Sequence, residues 1–115
     1  MKNVTKGKNI KSDLGVLTWT VADCPNDNNE HYVLESSIAG IVIRAYYMNK
    51  VILVDAPFIL RSHRVMTCKS LQNGLGKIEH WLKEEFDALN RLSSEYVKLF
   101  EELKNDGTFL GRKET

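Results

Sequence analysis

Apolar residues alternate with polar ones through the first half of the chain and recur every three or four positions through the second, which predicts strands followed by helix. In LGVLTWTVAD, Leu17, Trp19 and Val21 fall on one side and Val16, Thr18 and Thr20 on the other, and the turn formers of CPNDNNE close the run. HYVLESS is a second strand. Ile38-Ala39-Gly40 makes a tight connection into IVIRAYYM, whose Ile41, Ile43, Ala45 and Tyr47 oppose Val42, Arg44 and Tyr46. Asn49-Lys50 turns the chain into VILVDA. Nearly every position of that strand is apolar, so one face is expected to be covered and the other partly buried. Pro57 ends it, and FILRSHRVMTC is expected to be a fifth, edge strand or a bent extension.

From Ser70 onward, Leu71, Leu75, Ile78, Leu82, Phe86, Leu89, Leu92, Tyr96, Leu99 and Leu103 form one helical stripe. Ser70 suits an N-cap and Asp106-Gly107 a stop. A helix of ~34 residues would be ~50 Å long, more than the ~20 Å spanned by strands of ordinary length. Ser93-Ser94 leaves two arrangements open: a second helix that folds back as a hairpin, or a straight helix whose Tyr96, Leu99, Phe100 and Leu103 stay uncovered. An uncovered stripe needs a partner, so a homodimer through residues 94 to 104 is expected. Trp19, Trp81 and Phe86 are expected in the core. The predicted class is α+β: an antiparallel β-meander of four or five strands followed by one long or two consecutive C-terminal α-helices. Residues 14–106 are expected to form the domain, with residues 1–13 a flexible basic arm and 107–115 a flexible tail.

A length of 115 residues suits one domain, and 43% hydrophobic with 27% charged residues is ordinary globular composition. No run approaches the ~18 apolar residues of a membrane span, and no apolar segment follows the basic N-terminus as in a secretory signal. A cytoplasmic protein is expected. Cys24 and Cys68 lack CxxC spacing and fit small, half-buried thiols. The net charge is only +1, yet it is segregated. Lys2, Lys6, Lys8 and Lys11 open the chain without an acid, and residues 41–77 carry Arg44, Lys50, Arg61, Arg64, Lys69 and Lys77 against Asp55 alone. Residues 78–106 reverse the balance.

Catalytic chemistry finds little support. His31, His63 and His80 have no HxxxH or HExxH partner, so neither a metal nor a cofactor is expected. No serine sits in a Gly-x-Ser-x-Gly elbow. Glu84-Glu85 are helix neighbours pointing about 100° apart, the wrong disposition for an acid and base pair. NGLGK, residues 73 to 77, fits neither the Walker loop nor the dinucleotide fingerprint. Because Leu71, Leu75, Ile78 and Leu82 keep phase through it, its glycines are expected within the first helical turns, close to the sheet, or else the helix starts only at Leu75. The protein is not expected to be an enzyme. Arg44, Arg61, His63 and Arg64 near Tyr46 and Tyr47 are the candidates for gripping a polyanion, since guanidinium forks hold phosphates and tyrosine faces stack on bases.

A Trp near the start of a meander, then Tyr32, Ser36 and Gly40 ahead of a strand, then SLQNGLGKIEHWLKEEF resembles a group of small phage and prophage proteins. Their helix opens SLEEAKAAA and runs into an acidic, aromatic-containing stretch. The similarity spans roughly residues 17 to 90, and this chain has glycines where the group has alanines. The group has no settled activity. The resemblance implies only a phage-type accessory protein, in the host cytoplasm if phage-encoded; with the absent active site and the overlong helix, it leads to the expectation of a protein that binds and occludes a macromolecular partner, as an anti-CRISPR-like inhibitor of a defence system would. The alternative is a nucleic-acid or nucleotide binder using the basic sheet face and the N-terminal arm.

Overall fold

The structure, a computed structural model, describes residues 5–24, 31–57 and 63–105. Six strands, β1 (Asn9–Lys11), β2 (Thr18–Asp23), β3 (His31–Ile38), β4 (Ile41–Met48), β5 (Val51–Asp55) and β6 (His63–Thr67), pair antiparallel in sequence order as one sheet. Helix α1 (Leu71–Asn105) follows. The class is α+β, with a meander and one long helix. Two tight hairpins set much of the register. Ala39 and Gly40 have φ of 53° and 81°, Asn49 and Lys50 have 47° and 66°, and both turns therefore match the right-handed twist of the strands they join.

Alternation assigns the faces. Trp19, Val21, Tyr32, Leu34, Ile43, Ala45, Tyr47, Ile52 and Val54 are buried on one face, together with Leu71, Leu75, Ile78 and Leu82 of the helix. The sheet has six strands where four or five were expected. β1 comes from the segment expected to be a flexible arm: Asn9–Lys11 pairs with β2, and Ile10, opposite Trp19, is buried. Backbone bonds of Gly7 and Lys8 with Val21 and the buried Ile10 and Ser12 tie this short edge down.

The chain divides into two compact units, residues 1–82 and 83–115. In the first, Ser70 caps the helix as expected, its Oγ accepting from Asn73 N–H at 3.1 Å, while Asn73 Oδ1 accepts from Lys69 N–H at 2.9 Å. Gly74 and Gly76 lie inside the helix at close approaches. A Cβ on Gly74 would stand 2.9 Å from Cys68 Sγ and 3.1 Å from Ile52 Cδ1, and one on Gly76 would overlap the Asp13 carboxylate. Of the two expected positions for NGLGK, the first holds. Trp81 is buried, as expected.

In the second unit the helix continues to Asn105 without a break at Ser93-Ser94, so no second helix starts there. Lys83 Nζ pairs with Asp87 Oδ2 at 2.8 Å, which holds the exposed carboxyl below its usual range. Phe86 is only half-buried, a correction to the expected core placement, and every described side chain from Asn90 to Leu103 is exposed. The expected tail, 107–115, lies outside the described residues.

Candidate functional site

The buried carboxylate of Glu79, on the first unit's stretch of α1, gathers donors from four residues. Oε1 accepts from Ser12 Oγ at 2.5 Å and from Val16 N–H at 3.3 Å, while Oε2 accepts from Leu17 N–H and Trp19 Nε1, both at 3.0 Å. Ser12 is buried too, and its Oγ accepts from Leu14 and Gly15 N–H at 3.1 and 2.9 Å. Asp13 N–H donates to the Gln72 carbonyl at 3.1 Å, and Asn73 Nδ2 to Asp13 Oδ2 at 3.2 Å. A buried carboxylate is tolerated when donors surround it. With each Glu79 oxygen doubly engaged and Ser12 Oγ committed in both directions, this cluster locks the helix to the β1–β2 connection and presents neither base nor nucleophile. The sequence held one signal for it: Glu79 lies four after Leu75 and three before Leu82, a carboxylate inside the apolar stripe.

The sheet face opposite the buried one is built of cross-strand rows. Thr20, Glu35, Arg44, Asp55 and His63 stand opposite one another in turn across β2 to β6. Arg44 Nε reaches Glu35 Oε2 at 2.8 Å, and this bond followed by the Glu35 charge raises the Arg44 pKa. The neighbouring row is apolar: Val33, Tyr46, Leu53 and Val65, with Tyr46 and Val65 exposed. Near the pairing of β2 with β3, Thr18, Thr20, Glu35, Ser36, Ser37 and Val42 are among the residues that line a shallow hollow.

The polyanion candidates divide between faces. Arg44, Tyr46 and His63 share the open face, but Glu35 and Asp55 flank Arg44 in its own row. Arg64 stands opposite Val54 and so belongs to the other face. Arg61 lies outside the described residues. The expected cluster is therefore split, because residues adjacent in a strand point to opposite sides.

In the second unit, Tyr96, Leu99, Phe100 and Leu103, with Leu92, are exposed on one side of the helix. The Tyr96 and Phe100 rings lie 6.4 Å apart, tilted by 34°. Glu95 and Glu102, seven residues apart, border this stripe. Among the described residues no group of His, Cys, Asp or Glu is disposed to hold a metal ion, and no helix is long and apolar enough to cross a membrane. Neither family models, nor curated proteins, nor solved structures match the chain.

Proposed function

We propose that this is a small phage-type accessory protein that binds a macromolecular partner and occludes part of its surface, in the manner of an anti-CRISPR-like inhibitor of a host defence system. The observation that supports the reading is the stripe of Leu92, Tyr96, Leu99, Phe100 and Leu103, whose members are 36% to 68% exposed on a regular helix. Soluble proteins seldom leave a contiguous apolar strip in water unless something binds it. Residues 83–103 carry Glu84, Glu85, Asp87, Glu95, Glu101 and Glu102 against Lys83, Arg91 and Lys98. An acidic border favours a cationic amphipathic helix of another protein over a second copy, which would bring the same excess of negative charge.

A direct test uses a synthetic cationic amphipathic helical peptide and its acidic counterpart. The cationic peptide is expected to bind, more tightly as salt falls, and Leu99→Lys with Tyr96→Lys should abolish binding without changing the circular dichroism. Equal binding of both peptides, or binding that survives the two substitutions, sinks the assignment.

A further inference from the structure

Among the described residues β6 is the last strand of its edge, and ladder parity fixes which of its backbone groups face outward. Cys68 N–H donates to the Lys50 carbonyl at 2.9 Å, one step beyond the registered pair Val51 and Thr67. Lys50 and Cys68 are thus a hydrogen-bonded pair, and such pairs alternate along an antiparallel ladder. Met66 and Arg64 accordingly turn their N–H and C=O toward β5, whereas Thr67, Val65 and His63 turn theirs away from it.

Sheet edges are usually blunted by lysine, proline, a bulge or shortness. The opposite edge, β1, is three residues long with Lys8 and Lys11 at its ends. The sequence of β6, HRVMT, has neither lysine nor proline, its pairing with β5 runs without a bulge, and Val65 at its centre is 59% exposed; a lysine from α1 guards its C-terminal end, where Lys77 Nζ donates to the outward Thr67 carbonyl at 2.8 Å.

We propose that β6 pairs antiparallel with β6 of a second copy about a two-fold axis at Val65, joining two six-stranded sheets into one. The strand is self-complementary in this register. Val65 falls opposite Val65 of the second copy, a pair whose outward N–H and C=O groups exchange two hydrogen bonds. Arg64 falls opposite the second copy's Met66 and His63 opposite its Thr67, so no like charges meet directly across the seam. On the open face, the apolar row Val33, Tyr46, Leu53 and Val65 runs on into the same row of the second copy without a polar interruption. This surface is separate from the helix stripe and does not depend on its role.

Light scattering on the full chain tests the pairing. A species of about 26 kDa, twice the 13.2 kDa of one chain, is expected at high concentration. Val65→Pro removes an N–H that points away from β5, so it should give a folded monomer. Val65→Lys supplies a second variant with the same expected outcome. Val65→Cys should cross-link the dimer under mild oxidation, because the ~5.5 Å between Cα atoms of a hydrogen-bonded pair suits a disulfide. A wild-type chain that stays at 13.2 kDa overturns the inference. So does a dimer that survives Val65→Lys and is dissolved by Leu99→Lys, which would assign self-association to the helix.

Discussion

The Trp19 indole donates to Glu79 Oε2 at 3.0 Å, joining β2 to α1 through a carboxylate that Ser12, Val16 and Leu17 also address. Removing the acceptor while leaving its buried donors in place is expected to be far more damaging than removing any one donor. Each orphaned buried donor costs about 1–3 kcal/mol, so Glu79→Leu should lower stability by at least ~3 kcal/mol. Glu79→Gln, which keeps one acceptor oxygen, should cost about 1–3 kcal/mol. Urea denaturation with unchanged slope checks both.

The two tryptophans should respond differently to phenylalanine. Trp19 Nε1 is satisfied by Glu79, whereas the buried Trp81 Nε1 has no hydrogen-bond partner. Trp19→Phe loses a charge-assisted bond worth about 1.5–3 kcal/mol and leaves a space. Trp81→Phe also leaves a space but relieves an unpaired donor, so its loss should be the smaller by at least ~1 kcal/mol. Equal midpoints for the two variants would contradict the assignment.

The helix glycines should also separate. At Gly74 an added methyl meets Cys68 Sγ and Ile52 in the core, and such overpacking typically costs about 1–3 kcal/mol, more than the ~1 kcal/mol gained in helix propensity. At Gly76 the obstacle is the end of the exposed Asp13 side chain, which can swing away at the expense of its bond to Asn73. Gly74→Ala is expected to melt below wild type and Gly76→Ala close to it.

Burial pushes the Cys68 thiol up from its ordinary value of 9.0, with Lys77 opposing. A raised acid holds its proton longer in the folded state, so stability should decline as pH climbs above the ordinary thiol range. Native-state alkylation should label the half-buried Cys24 before Cys68, and mass spectrometry after a short iodoacetamide pulse reads the order directly.

The exposed helix stripe makes no demand on folding. Leu99→Lys, at a 58% exposed position, should shift stability by no more than ~0.5 kcal/mol while changing binding. A large drop in melting temperature would mean that Leu99 is covered in solution.

Strands β2 to β5 and both hairpins were legible because their signals are local. Alternation marks Trp19 and Val21 as buried, and the two residues of Asn49-Lys50 suffice for a turn. β1 was not legible, since three residues with one apolar side chain carry no period. The split between Arg44 and Arg64 was hidden for another reason: whether two arginines share a face depends on cross-strand register, which composition and clustering do not report. Glu79 was legible in principle, since its place between Leu75 and Leu82 sets it apart from the other acids of the helix.

The order of strands has a kinetic consequence. Every ladder joins sequence neighbours, so the sheet can assemble through short loop closures, and the contacts that must wait are those from Glu79 and Gly76 back to residues 12–19. Docking of the helix on the N-terminal strands is therefore expected to be the late step of folding. A cut in the Glu79 cluster should accelerate unfolding and leave the refolding rate nearly untouched.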